Sequence, residues 1–253
     1  MRLEDKVIII TGGSKGLGRE AALLFAREGA RVVVTGRGRP ALDAVVADAA
    51  AQGLELTPIQ ADVSLEDDCR RTVADVIAAH GHLDVLFNNA GVLFAGTTWE
   101  TSPEDWDLTM AVNVRGTWLM SREAIPHMLE RGRGAIINNC SVLGLKACPG
   151  AAAYNTSKGA IAQLTRSTAL ELAGTGVRVN AICPGTIVTE MVGEVFAGAP
   201  DPDAAEAFFL SQHPIGRFGT EQEIAKACVM LAEDGLDFMT GSMLSIDGGW
   251  VAR

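Results

Sequence analysis

Tyr154 and Lys158 stand four residues apart in "AAAYNTSKGA", and Ser141 precedes them in "NNCSVLG". On a helix that spacing puts a phenol and an ammonium on one face. A phenol with its ordinary pKa of about 10 is a poor base at neutral pH. A neighbouring ammonium stabilises the phenolate and brings that value down. The pair can then pass a proton to or from the oxygen of an alcohol or ketone. Ser141 closes the strand-like run "GAIINNC", where its hydroxyl can bond a carbonyl oxygen and steady developing negative charge. Y-x-x-x-K by itself is common on helices, where the tyrosine usually only packs. Its meaning depends on the elements around it.

One such element is "TGGSKGLG", Thr11 to Gly18, between a first strand and a first helix. Gly12, Gly16 and Gly18 allow a tight turn and close backbone approach to phosphate. The helix N-terminus that follows favours an anion. Ser14, Lys15 and Leu17 belong to the same turn. The second strand ends in "RVVVTGRGRP". An acid at its tip would bond adenosine ribose hydroxyls and indicate NAD, but Gly36 stands there, followed by Arg37. Lys15 and Arg37 together suit a ribose 2′-phosphate. The sequence therefore favours NADP(H), with NAD(H) as the alternative.

β-Branched runs alternate with Ala/Leu-rich helical patterns along the chain. The strand candidates are "KVIIIT", "RVVVT", "ELTPIQ", "LDVLFNN", "GAIINNC", "VRVNAIC" and "MLSI". Nearly continuous apolar strands imply a sheet buried on both faces. The alternation predicts α/β: a single doubly wound Rossmann-type domain over residues 1–253. It would hold a mostly parallel seven-stranded sheet with helices on both faces. One long helical stretch is predicted from Ser102 to Gly132. Residues 186–217 interrupt the alternation and are expected to form a substrate-covering insert.

Composition narrows the partners. The net charge is −10, which argues against nucleic acid or an anionic membrane surface. The apolar run Val7 to Ile10 is too short for a signal peptide or a membrane span, so a cytoplasmic enzyme is expected. Five scattered cysteines without C-x-x-C read as reduced thiols, with Cys140 and Cys183 as packing residues. "HGH" at His80 to His82 reads as a solvated turn, and no metal is expected.

In order, "TGGSKGLG", "DV" (Asp62-Val63), "NNAG" (Asn88 to Gly91), the Asn113 of "AVNVRG", Ser141, "YNTSK", "NAICPGTIVTEM" and "SIDGGW" resemble the classical short-chain dehydrogenase/reductase family over the whole chain. The Asn139-Cys140 pair before Ser141 departs from the small residues usual there. The resemblance implies that Tyr154 is the acid/base, Lys158 its tuner and ribose ligand, and Ser141 the residue that orients the oxygen. Asn113 would hold a proton-relay water. Asp62 and Val63 would flank the adenine, and Asn89, Ala90 and Gly91 the ribose. Pro184, Gly185, Ile187 and Thr189 would hold the nicotinamide. It also implies a homotetramer built on the helices after Pro103 and Ala151 and on the last strand. Trp250, a large aromatic near the chain's end, is expected to anchor an interface.

The expected activity is an NADP(H)-dependent interconversion of a secondary alcohol and a ketone. Its small-molecule substrate would contact Leu93, Leu143, Met191 and Phe196, and further Phe94, Val195, Phe208 and Phe209. These are apolar, which suits an alicyclic, steroid-like or acyl-thioester compound. Sugar oxidation stays open, and Arg217 is the one cation of the insert. A catalytically silent nucleotide sensor is the rival, because fold alone does not fix function.

Overall fold

The computed structural model describes residues 1–253. Strands β1 (Val7–Thr11), β2 (Arg31–Gly36), β3 (Leu56–Gln60), β4 (Val85–Asn88), β5 (Gly134–Asn139), β6 (Val177–Pro184) and β7 (Met243–Ile246) form one sheet. Their order is β3-β2-β1-β4-β5-β6-β7. Every neighbouring pair is parallel. The chain winds outward from β1 in one direction and from β4 in the other. A crevice therefore opens at the carboxyl ends of β1 and β4, where such sheets bind ligands.

The helices are α1 (Gly16–Arg27), α2 (Arg39–Ala50), α3 (Glu66–His80), α4 (Pro103–Thr109), α5 (Gly116–Arg131), α6 (Ala152–Glu171), α7 (Glu190–Ala197), α8 (Pro202–Ser211) and α9 (Glu221–Ala232). Side-chain alternation along each strand divides the core in two. Ile8 and Ile10 of β1 face a cluster completed by α1, α2 and α9. Val7 and Ile9 face a second cluster completed by α3, α5 and the end of α6. Buried Asp84, just before β4, ties the lower edge together. It accepts from the Val7 N–H (2.9 Å) and Arg131 (3.0 Å), and lies 3.1 Å from His82.

Two expectations need correction. The single helix from Ser102 to Gly132 is broken: Met110–Arg115 between α4 and α5 winds as a π-helix. Such wide turns concentrate at functional sites, and this one contains Asn113. The insert is also regular rather than irregular. It carries α7, capped by Thr189, and α8, whose Asp201 cap accepts from the Ala204 N–H at 3.0 Å. α7 and α8 pack against each other through Phe196 and Phe209, ring centroids 5.6 Å apart.

Candidate active site

The β1–α1 turn forms the floor of the crevice. Gly12 takes φ 63°, and a Cβ there would come within 2.9 Å of the Ala90 Cα. A Cβ on Gly18 would lie 2.3 Å from the Gly12 carbonyl oxygen, so the helix start closes directly onto the turn. Lys15 is the N-cap of α1, yet no side chain caps that helix and its first turn holds no acid. Uncapped N–H donors at the positive end of a helix dipole, beside a turn without side chains, fit the phosphates of a dinucleotide. Leu17 packs on the core beneath.

Around this turn the structure gathers the other predicted cofactor residues. Asn89 donates to the Thr11 and Gly12 carbonyls at 3.0 and 3.1 Å, and the Ala90 N–H donates to Thr11 Oγ1 at 3.0 Å. A Cβ on Gly91 would face Asn113 Oδ1 and Lys158 Nζ, at 3.3 and 3.8 Å. Val63 is buried and packs on Gly116, while the Asp62 carboxylate accepts from the Ser64 N–H and hydroxyl. Ser14 Oγ borders Gly36 at the tip of β2. Pro184 ends β6, and the Gly185 N–H donates to the Ile246 carbonyl at 3.0 Å. Ile187 is buried, and Thr189 reaches back over Gly16.

The two cations near the β2 tip differ from expectation. Lys15 is held by Glu190 of α7 at 2.8 Å, because the insert folds over the phosphate turn and brings a carboxylate with it. Only Arg37 stands without an ion-pair partner there.

The catalytic candidates meet at the carboxyl edge of β5. Ser141 follows that strand with φ 120° and accepts from the Leu143 N–H at 3.1 Å. Its side chain lies on the Tyr154 side, where it pulls the phenol pKa down against the larger effect of burial. Lys158, buried one turn along α6, donates to the Asn139 carbonyl at 2.7 Å, and its Nζ lies 5.3 Å from the Tyr154 ring centroid. Asn113 clamps Val92 through both its N–H (2.8 Å) and carbonyl (3.0 Å) and donates to Ser157 Oγ at 3.0 Å.

The electrostatics reverse one sequence expectation. Burial pushes the Tyr154 phenol up to about 12, against the smaller pull of Ser141. Burial also brings the Lys158 ammonium down to about 8. For the phenol, burial outweighs the neighbouring ammonium, so Tyr154 is held neutral at neutral pH.

Cys140 and Cys183 are fully buried beside this site, and Cys140 Sγ donates to the Lys158 carbonyl at 3.2 Å. Donation from the Cys183 thiol to the Cys140 sulfur, reinforced by burial, keeps Cys183 protonated. No group of three or more His, Cys, Asp or Glu side chains gathers as a metal site.

Above Ser141 and Tyr154 lies a cavity of about 620 Å³. Leu93, Phe94, Leu143, Met191, Val195, Phe196 and Phe209 all line it, as expected. Phe208 does not; it is half exposed on the outer face of α8. Trp250 is a correction too. It is buried within its own chain, 6.4 Å from Phe209 between ring centroids, and forms part of the cavity wall.

Sequence reasoning also missed His213 and the role of Asn139. His213 is buried. Its Nε2 accepts from the Thr186 N–H (2.9 Å), so its Nδ1–H donates to the Phe209 carbonyl (2.8 Å). It thereby fastens α8 to the segment after β6. Nothing in its neighbours announces this, since both its partners are backbone atoms. Asn139 donates to Asn89 Oδ1 at 3.1 Å. The repeated "NN" before both "AG" and "CS" was the available signal.

The enoyl-(acyl carrier protein) reductase family pattern matches residues 12–251. The chain is 39% identical over 251 residues to 2-(S)-hydroxypropyl-CoM dehydrogenase 3 of Xanthobacter autotrophicus, covering 99% of this chain and 98% of that one. It is 37% identical to the 3-oxoacyl-acyl-carrier-protein reductase of Thermotoga maritima, covering 99% and 100%. It is 36% identical to cyclopentanol dehydrogenase of a Comamonas species, covering 100% and 99%. A crystal structure of a short-chain type dehydrogenase/reductase from Mycobacterium marinum superposes with a TM-score of 0.92 at 32% identity, covering 99% and 97%. With a nucleotide turn, a Ser–Tyr–Lys group and relatives matched end to end, the chain belongs to the classical short-chain dehydrogenase/reductase family and is an oxidoreductase acting on CH–OH groups.

Proposed function

We propose that the protein interconverts a secondary alcohol and a ketone with NADP(H), using Tyr154 as general acid/base, Ser141 to orient the oxygen, and Lys158 and Asn113 as supports. The observation that carries this reading is that Ser141 and Tyr154 line one apolar cavity, with Lys158 Nζ 5.3 Å from the Tyr154 ring centroid, next to the phosphate turn. A nicotinamide dinucleotide held along Gly12 to Gly18, Asn89 to Gly91 and Pro184 to Thr189 supplies the hydride donor or acceptor. In reduction, Tyr154 gives its phenol proton to the substrate oxygen while Ser141 donates to the same oxygen. In oxidation, Tyr154 takes the proton back. Lys158 would bond the ribose hydroxyls, and the Asn113 segment would hold a relay water. Tyr154→Phe is expected to lower kcat by ~10²–10⁴-fold with cofactor binding kept.

NADP(H) is favoured because Gly36 leaves no acid at the β2 tip and Arg37 is unpaired there. The Lys15–Glu190 bridge is the one observation that favours NAD(H), since it occupies the second cation. A spectrophotometric screen of secondary alcohols and ketones with both cofactors tests the reading. Expected is turnover with NADP(H) preferred, and an Arg37→Asp variant whose KM for NADP(H) rises ~10–100-fold, the scale of one charge-assisted hydrogen bond. Equal use of both cofactors by the parent protein would defeat the preference; full activity in Tyr154→Phe would defeat the acid/base role.

A further inference from the structure

The cavity above Tyr154 is lined by 24 residues, 16 of them hydrophobic. None of the 24 is Lys, Arg or His, and Glu194 is the only charged one. The insert over it, residues 186–217, contains Glu190, Glu194, Asp201, Asp203 and Glu206 against a single cation, Arg217. That cation is engaged elsewhere. Its guanidinium bonds Glu223 at 2.6 Å and lines an adjoining cavity of about 280 Å³ rather than this one. Of the other cations near the cavity, Lys15 pairs with Glu190, Lys146 donates to the Trp250 and Arg253 carbonyls, Arg253 donates to the Ser211 carbonyl and Gln212, and Lys158 donates to the Asn139 carbonyl. Phe196, Phe209 and Trp250 form a continuous aromatic wall, with successive centroids 5.6 and 6.4 Å apart.

An anion entering this space would shed water and meet ring faces, aliphatic carbon and Glu194. Burying a charge without a partner is strongly unfavourable. The acidic insert would also repel an anion during approach. A volume near 620 Å³, of which the nicotinamide would fill the part beside Gly185, lies in the range that encloses a drug-sized molecule, well above that of a three- or four-carbon ketone. We infer that this cavity takes an uncharged, bulky, ring-bearing secondary alcohol or ketone and rejects substrates that carry a carboxylate, sulfonate or phosphate. The inference rests on the alcohol/ketone reading for its chemistry, and on the cavity alone for its selectivity.

The test uses matched pairs: a bicyclic ketone such as a decalone, and the same ring bearing a carboxylate away from the carbonyl. Each is reduced with the preferred cofactor, and binding to Tyr154→Phe is measured by calorimetry with that cofactor present. Expected is a kcat/KM at least ~100-fold higher for the neutral ketone, the scale set by leaving a charge unpartnered. Met191→Arg, which places a cation in the cavity wall, should shrink that ratio by about tenfold or more. Turnover of the carboxylate within about tenfold of the neutral ketone overturns the selectivity and leaves the oxidoreductase reading intact. If neither ketone turns over but the neutral one alone binds, the selectivity stands and the alcohol/ketone reading falls. Binding of neither, or of both equally, overturns the inference.

Discussion

Ser141 joins two roles that conflict. Its φ of 120° and ψ of 155° fall in a region that is essentially glycine's, at a cost of about 1–3 kcal/mol. The conformation follows from the chain turning off β5 into the Val142–Gly144 turn, with the hydroxyl held toward Tyr154. Ser141→Ala keeps the strain and loses the hydroxyl; Ser141→Gly loses both. Denaturant titration should therefore find the glycine variant more stable than the alanine variant by about 1–3 kcal/mol, with low turnover in each. Lys158 shows a similar tension. Burial lowers its folded-state pKa to about 8 from 10.5. Between those values the unfolded chain binds more protons, so stability rises with pH; below about 8 both states are protonated and the penalty is constant. Lys158→Met lacks this titration. The parent protein should gain melting temperature relative to that variant as pH rises from about 8 to 10, and parallel curves would refute it. That Ser141, Tyr154 and Lys158 come together was legible from residue type and spacing. The electrostatics of the set were not, because desolvation depends on what packs around Tyr154 and Lys158.

At the scale of elements, the site is tied together by neighbouring strands. Asn88 and Asn138 pair in register and bond at 2.9 Å, and one residue on, Asn139 bonds Asn89. Asn89 in turn holds the phosphate turn, while the Asn139 carbonyl holds Lys158. The Asn139 side chain thus steadies the phosphate turn through Asn89, and its backbone steadies Lys158. Asn139→Ile should raise the KM for cofactor by ~2–12-fold, the value of one net hydrogen bond, and change kcat less, since the backbone contact survives. An equal fall in kcat would contradict this division. In the sequence Asn139 looked like a departure in packing, because strand register is not written in either strand alone. The strands and α1, α2, α3, α6 and α9 were legible from apolar period and glycine stops. α8 could have been read from "DPDAAEAFFL", a capping Asp followed by Pro at the first helical turn. The π-turn could not, since it depends on Asn113 clamping Val92 across the fold.

For the whole molecule, the doubly wound architecture was legible because burial on both faces leaves a signature in every strand. What surrounds the molecule is less so. Trp118 on α5 is 45% exposed under the Arg122 guanidinium, and Leu170 on α6 is 78% exposed. Trp106 and Leu108 extend the apolar surface along α4. Apolar groups concentrated on helices are expected to be covered by other chains. The resemblance to family members leads to four chains as the proposed assembly. Light scattering should return that mass, with Trp118→Glu shifting it lower; a monomer in the parent protein would refute it. One consequence of the Ser141 backbone reaches into how this protein could be evolved in the laboratory. A library sorted only for surviving heat should enrich glycine at position 141, because that change relieves the fold and the sort never asks for turnover. Such a population would look improved while losing its chemistry, so any selection for robustness here has to be coupled to product formation from the first round.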